Sequence, residues 1–278
     1  MIEKLSAVVA DIDGTLCMKG GNLQPRTRAA LQKLHEQGVL FGVASGRPMD
    51  RRILDLAKQW DLGFEFDLAI GMNGGDLYDK STDEIKHFYQ LKKEDVRTIL
   101  KMLEGLDLNA IVYVNGYDEI NALRMDEFLK DSVRRNHSIV EIGDIDFVSR
   151  HDTGKIECHL KPAVKAEMMR RIEANPSDRW THVTTFEIED HSTVEFVDPH
   201  VNKGLALRNF SEQSGIPLSE IMAFGDMEND IGLLREAGWG VCLKNGSDDT
   251  KAVAQAITEY ECLEDGVGRY LEDHWFNR

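Results

Sequence analysis

Cysteine is scarce in this sequence, and the four that occur form no paired motif. They are widely separated, at Cys17, Cys158, Cys242 and Cys262, with no CxxC spacing. A disulfide framework or a thiolate zinc site would need closely spaced pairs. We therefore expect free thiols and a cytoplasmic location.

Long apolar runs and an excess of basic residues are also missing. No window approaches a membrane-spanning helix, and the apolar run near the N-terminus is too short for a signal peptide. Lysine and arginine total 33 against 49 acidic residues, which gives a net charge of −16. Such a surface repels nucleic acids and anionic membranes but does not exclude a small anionic substrate. The expected partner is a small molecule, and the oligomeric state is left open.

Apolar strands and amphipathic helices alternate at both ends of the chain. The N-terminal segments "SAVVAD", "VLFGVASG" and "FDLAIGMNGG" are typical of buried strands, with helical patterns between them. This order predicts a parallel sheet with right-handed crossovers. The segment 89–190 instead has the mixed pattern of a compact α+β insert. We therefore predict a doubly wound α/β core of residues 1–88 and 191–278 with an inserted α+β domain at 89–190.

Polar residues follow several of the predicted parallel strands. In open parallel sheets, ligands bind outside the carboxyl ends of the strands, so these residues define a candidate site. The set comprises Asp11 and Asp13 after the first strand, Ser45, Gly46 and Arg47 after the second, Asp226, Asn229 and Asp230 after a later one, and Lys203 at the start of a helix.

This set combines two kinds of chemistry. Three aspartates from two strands suit a hard cation with oxygen ligands such as Mg²⁺. A hydroxyl, glycine amides and a lysine suit the oxygens of a phosphate. Each fragment alone is typical of a turn or a helix cap, and an EF-hand loop is excluded because Thr15, Cys17 and Met18 occupy its later positions. Together the fragments indicate metal-assisted phosphoryl transfer.

The segments "DIDGTL", "SGR", "NKG" and "GDMEND" resemble, in order, the four signature motifs of the haloacid dehalogenase (HAD) superfamily. The segments "IGMNGG", "VEFVDPHVNKGLAL" and "GWGVCLKNGSDDTKAVAQAIT" are similar to those of its Cof-type branch. The resemblance covers essentially the whole core and implies a Rossmann-like sheet. The insert is similar to a C2-type cap domain only in its size and in its α+β mixture of helices and strands.

The resemblance implies a role for each motif residue. Asp11 would be the nucleophile that forms an aspartyl-phosphate, and Asp13 the general acid and base. Mg²⁺ would be held by Asp11, the backbone carbonyl of Asp13 and Asp226, with Asp230 supporting the metal. The phosphate would be bound by Ser45, Gly46, Lys203 and Asn229, and the possible substrate contacts are Gly14, Arg47, Asn73 and Gly74.

We therefore expect a Mg²⁺-dependent phosphatase acting on a small phosphorylated metabolite, with a sugar phosphate favoured. A sugar phosphomutase with the same nucleophile is the main alternative. A non-catalytic phosphosugar-binding protein is disfavoured, because it would need no nucleophile. The insert's scattered histidines, His151, His159, His182 and His191, lack metal-ligand spacing and are expected on the surface or on edge strands.

Overall fold

The computed structural model describes residues 2–277 of the chain. Its strands are β1 (Ala7–Asp11), β2 (Leu40–Ala44), β3 (Leu68–Gly71), β4 (Asp76–Asp79), β5 (Glu84–His87), β6 (Leu108–Asn115), β7 (Glu119–Ala122), β8 (Ile139–Ile142), β9 (Ile156–Leu160), β10 (Thr181–Ile188), β11 (His191–Val197), β12 (Ile221–Gly225), β13 (Trp239–Cys242) and β14 (Ala256–Ile257). Its α-helices are α1 (Pro25–Glu36), α2 (Arg51–Leu54), α3 (Leu56–Gln59), α4 (Lys93–Met102), α5 (Glu127–Asn136), α6 (Ile145–Val148), α7 (Pro162–Ala174), α8 (Lys203–Ser214), α9 (Ile231–Glu236), α10 (Asp248–Val253) and α11 (Gly266–Leu271).

The first compact unit combines Met1–Phe88 with Asn202–Arg278 and is built on an eight-stranded sheet. The strand order is β14-β13-β12-β1-β2-β3-β4-β5, parallel from β14 to β3 and antiparallel at β4 and β5. Alternate side chains of β1 enter two different apolar cores, one formed with α1 and α11, the other with α8 and α9. Helices therefore cover both faces, and the predicted doubly wound α/β core is confirmed.

Helix α8 begins where the chain re-enters this unit. Asn202 caps the helix by accepting a hydrogen bond from the Leu205 N–H at 2.8 Å. The helix ends at Gly215, whose φ of 74° is the left-handed conformation that glycine adopts most easily. Because Lys203 follows the cap directly, its position in the first turn is set by the start of the helix.

The second compact unit comprises Tyr89–Val201 and contains a six-stranded sheet of order β10-β11-β9-β6-β7-β8. Helices α4, α6 and α7 pack on one face of it around a separate apolar core. The sequence-based boundary between residues 190 and 191 falls in the turn of the β10–β11 hairpin. Strand β11 pairs with both β10 and β9, so the hairpin stays whole and the unit continues to Val201.

Several elements differ from the sequence-based prediction. The helix expected over "PMDRRILDLAKQW" is divided into α2 and α3 at Asp55. The helix expected over "SDDTKAVAQAITEY" ends at Val253, because the next residues pair with β13 as the edge strand β14. The Gln255 side chain supports this pairing by accepting a hydrogen bond from the Gly240 N–H at 2.6 Å. Strands β7 and β8 lie in segments for which no strand was predicted. None of the helices within residues 2–277 is long and apolar enough to cross a membrane.

A buried charge cluster occupies the second unit's sheet. Lys155 Nζ lies 2.7 Å from Glu195 Oε1 and 3.3 Å from Glu157 Oε2. His159 Nε2 lies 2.8 Å from Glu157 Oε1, and its Nδ1 is 3.8 Å from Asp126 Oδ2, which is an ion-pair rather than a hydrogen-bond distance. Burial lowers the pKa of His159, but the two carboxylates outweigh it and raise the pKa to about 9. The expected surface position is therefore wrong for His159, which is buried on the central strand β9.

Candidate active site

Two neighbouring strands of the first unit bring a pair of aspartates together. Strands β1 and β12 are adjacent and parallel, with Ala10 opposite Phe224. Asp11 is the last residue of β1, and Asp226 follows β12 directly. Both side chains are buried, and carboxylate oxygens of Asp11, Asp226 and Asp230 all lie within 4.8 Å of one another. Such a cluster of carboxylates needs cations to offset its mutual repulsion.

Lys203 supplies one of these positive charges. Its side chain is fully buried, and Nζ donates to Asp11 Oδ1 and, at 2.6 Å, to Asp230 Oδ1. Burial lowers the pKa of Lys203, but Asp11 and Asp230 outweigh that effect and raise it above its ordinary value. The ammonium group therefore stays charged beside Asp11.

Asp230 organises the loop that follows β12. Its Oδ2 accepts hydrogen bonds from the backbone N–H groups of Asp226 at 2.9 Å and Met227 at 3.1 Å, while its Oδ1 accepts from Lys203. Thr15 Oγ1 donates to Asp226 Oδ1 at 2.9 Å. With both of its oxygens engaged by the protein, Asp230 is suited to orienting Asp226, and Asp11 and Asp226 are the better placed cation ligands.

The pKa values at the site reflect this crowding. Burial and the charge of Asp230 raise the pKa of Asp11 to about 8, with Lys203 acting in the opposite direction. Burial is the main cause that raises the pKa of Asp226 to about 6, with Thr15 opposing it. A divalent cation between the two carboxylates would favour their ionised forms.

Asp13 lies outside the three-carboxylate cluster and is held by Arg47. The guanidinium Nη2 lies 2.6 Å and 2.7 Å from the two carboxylate oxygens, and Nε lies 3.1 Å from Oδ2. The Asp13 side chain is 34% exposed, in contrast to the buried Asp11. Gly14 follows with a φ of 96°, and a Cβ there would collide with the Asp226 carboxylate. This close approach explains the glycine in the motif.

The remaining predicted residues lie in loops after β2, β3 and β12. The Asn73 N–H donates to the Ser45 carbonyl at 3.0 Å, and Asn229 Nδ2 donates to Asn73 Oδ1 at 3.1 Å. A Cβ on Gly46 would lie 3.0 Å from Asn73 Oδ1, and one on Gly74 would meet the Asn202 carbonyl. The structure thus links these loops to one another and, through Asn202, to the start of α8.

Comparison with known proteins agrees with this arrangement. A family model described as haloacid dehalogenase-like hydrolase matches residues 8–271. This chain is a haloacid dehalogenase-like hydrolase. The match spans both compact units, so the insertion of the second unit belongs to the family architecture.

Named relatives and solved structures are similar to this hydrolase over almost its whole length. It is 25% identical to the 5-amino-6-(5-phospho-D-ribitylamino)uracil phosphatase YitU of Bacillus subtilis, over 99% of each chain. TM0651 from Thermotoga maritima shares the fold with a TM-score of 0.82 and 23% identity, over 96% of this chain and 97% of that one. The HAD subclass IIB sugar phosphatase BT4131 gives a TM-score of 0.75 and 23% identity, over 96% and 98%. The chain is accordingly a Cof-type HAD phosphatase, a phosphoric monoester hydrolase.

Sequence reasoning missed two residues that contact the site of this hydrolase. Thr15 bonds Asp226 from within the first motif itself. Asn245 lies in the loop after β13, and its Nδ2 donates to the Gly14 carbonyl at 2.8 Å. The available signal was the polar "KNGS" segment, which follows a parallel strand as the motifs do.

Proposed function

We propose that this hydrolase removes phosphate from a phosphorylated, hydroxyl-rich carbon chain, a sugar or sugar-alcohol phosphate, in a Mg²⁺-dependent reaction through an aspartyl-phosphate on Asp11. The observation that carries the proposal is the pairing of Asp11 with the buried Lys203 beside Asp226. The proposed nucleophile, a fixed positive charge and a second carboxylate would then act together in one small volume.

The donor set fits Mg²⁺. Hard oxygen ligands from one or two carboxylates, completed by water, are what this ion prefers. Asp11 and Asp226 would hold it together with the backbone carbonyl of Asp13. When bound, Mg²⁺ neutralises the charge of the phosphate and of the carboxylates that face it.

The protein's own residues would carry the two chemical steps. An oxygen of Asp11 would attack phosphorus while the bond to the leaving oxygen breaks. Asp13, protonated and with one of its oxygens released from Arg47, would give its proton to that leaving oxygen. Asp13 then takes a proton from water, whose oxygen attacks phosphorus and releases Asp11 with inorganic phosphate. Lys203 offsets the negative charge of the phosphoryl group during both steps. The hydrogen bonds from the Arg47 guanidinium to both oxygens of the ionised Asp13 fix the orientation of that carboxylate.

The substrate class is supported by the named relatives. YitU is named for a phosphorylated ribityl compound, and BT4131 is described as a sugar phosphatase. Both descriptions share a phosphate ester on a chain rich in hydroxyl groups. We propose that the second unit, including the loop His151–Lys155, selects this chain, while the first unit binds the phosphate.

Phosphate release across a panel of phosphorylated metabolites, with Mg²⁺ or with EDTA after metal stripping, tests this proposal. We expect sugar and sugar-alcohol phosphates to be the best substrates and EDTA to abolish turnover. Full activity in EDTA would contradict the metal requirement, and a preference for esters without hydroxyl groups would contradict the substrate class. Release of inorganic phosphate without a bisphosphate activator separates the phosphatase from a phosphomutase.

The nucleophile is tested by trapping a labelled phosphoenzyme. The wild type should carry the label on Asp11, and Asp11→Asn should carry none, because the carboxamide cannot attack phosphorus. Asp13→Asn is the matched control, since it keeps the nucleophile but slows proton transfer in both steps. A label on a histidine or serine would overturn the assignment.

A further inference from the structure

The Asn245 side chain connects two loops of the first unit through the backbone. Its Nδ2 donates to the Gly14 carbonyl at 2.8 Å, and its Oδ1 accepts from the Cys262 N–H at 2.8 Å. The residue is exposed, yet both ends of its amide are engaged. An amide held in this way can fix the orientation of the peptide group that it contacts.

The peptide group that Asn245 contacts belongs to the turn that carries Asp13. This turn is closed by a hydrogen bond from the Gly14 N–H to the Cys17 carbonyl at 2.8 Å, and the N–H groups of Leu16 and Cys17 donate to the Ile12 carbonyl. These bonds lie within the turn and do not set its position relative to the rest of the unit. The side chains of Thr15 and Asp13 bond Asp226 and Arg47 outside the turn, but neither of these bonds holds the backbone of the turn. Asn245 contacts it from a different loop.

The residues next to Asn245 contact the other aspartate turn. The Ser247 N–H donates to the Asp226 carbonyl at 2.8 Å. A Cβ on Gly246 would lie 2.8 Å from the same carbonyl oxygen, so the loop approaches the backbone closely here. The segment Asn245–Ser247 therefore touches the turn of Asp13 on one side and the turn of Asp226 on the other.

We infer that Asn245 is a positioning residue for the reaction: its bond to the Gly14 carbonyl holds the Asp13 turn at a fixed distance from Asp226. This inference rests on the proposed role of Asp13 in proton transfer. Loss of one supporting hydrogen bond at a metal or reaction centre typically costs ~10- to 100-fold in activity, because small displacements of reacting groups are costly.

Two substitutions distinguish the effects of the two hydrogen bonds that the Asn245 side chain makes. Asn245→Asp is isosteric and keeps an acceptor for the Cys262 N–H, but it has no donor for the Gly14 carbonyl. Asn245→Ala removes both bonds. We expect both variants to lower kcat for p-nitrophenyl phosphate by ~10- to 100-fold, with little change in KM or thermal midpoint. A higher Mg²⁺ concentration for half-maximal activity should accompany this loss.

Gln32→Ala is the matched control. Its amide also donates to backbone carbonyls in the first unit, those of Asp61 at 3.0 Å and Leu62 at 3.1 Å. This control should keep the wild-type kcat. A wild-type kcat in Asn245→Asp would overturn the inference, because only the Gly14 bond is lost there; so would equal losses in Gln32→Ala.

Asp13→Asn, measured in parallel, distinguishes failure of the inference from failure of the proposed mechanism. If Asp13→Asn is inactive while Asn245→Asp is fully active, the inference is wrong and the mechanism stands. If Asp13→Asn is fully active, the proposed mechanism is wrong and the inference, which rests on it, is overturned with it, even if Asn245→Asp is slow.

Discussion

Raising the pH should destabilise the first unit when divalent cations are removed, and Asp11 is the cause. Burial, then Asp230, raises the pKa of Asp11 from 3.8 to about 8 in the folded protein. Between these values the folded protein keeps a proton on Asp11 that the unfolded chain releases. The contribution of the Asp11 carboxyl to the free energy of unfolding is therefore fully present below pH 3.8 and is lost as the pH rises through about 8.

The size of this loss in unfolding free energy follows from the single proton that Asp11 keeps in the folded protein and releases in the unfolded chain. Each pH unit within this window lowers the free energy of unfolding by about 1.4 kcal/mol. From pH 5 to pH 8 the Asp11 carboxyl alone should thus cost about 4 kcal/mol, since the interval lies inside its window. Asp226, whose pKa is raised to about 6, adds to this loss. Saturating Mg²⁺ should reduce the loss, because a ligand that binds only the folded state at 100 times its Kd adds about 2.7 kcal/mol.

Urea unfolding in EDTA, followed by tryptophan fluorescence, measures this loss. Trp180 lies in the second unit, so a Trp180→Phe background leaves Trp60, Trp239 and Trp275 as reporters of the first. Asp11→Asn in the same background lacks the titrating carboxyl and should be less sensitive to pH by about 4 kcal/mol over the interval. Equal pH dependence in the two proteins would refute the reasoning.

Three further outcomes are expected. Lys155→Met should destabilise the second unit by about 3–5 kcal/mol in thermal or urea unfolding, because buried carboxylates lose their counter-charge, and adding Glu195→Gln should recover part of the loss. Arg47→Lys should lower kcat more than about tenfold with little change in KM, because the charge remains but the two-pronged contact with Asp13 is lost. The stabilising effect of His159 should be fully present below pH 6.5 and lost as the pH rises through about 9, so a His159→Phe variant should show a flatter dependence of the thermal midpoint on pH.

Sequence reasoning predicted which residues of the candidate site lie at strand ends. Asp11, Ser45 and Asp226 each follow a short apolar strand, and a parallel sheet has one edge at which such residues meet. The alternation of strands and helices was sufficient to predict that sheet, and the position of Lys203 followed from its place at the start of a helix. These inferences needed only local patterns and the topology that they imply.

The features that were missed depend on contacts between distant segments. The contact of Asn245 with Gly14 joins residues on different strand loops. The polar "KNGS" segment indicates a loop after a parallel strand, but it does not indicate which residue that loop contacts. The helix that was expected to continue beyond Val253 ends because an edge position beside β13 is available, a tertiary effect that outweighs the local preference for helix. His159 is buried because its partners, Glu157 and Asp126, compensate its charge.

The complete burial of Lys203 has a consequence for its reactivity. Acylating reagents attack an amine that is deprotonated and accessible, and this ammonium group is neither, because it is enclosed between two carboxylates. Reaction at Lys203 therefore requires an opening of the loops around it. Its labelling rate, compared with that of the exposed Lys4, would report how often the candidate active site opens, and a bound phosphate ester should slow that rate.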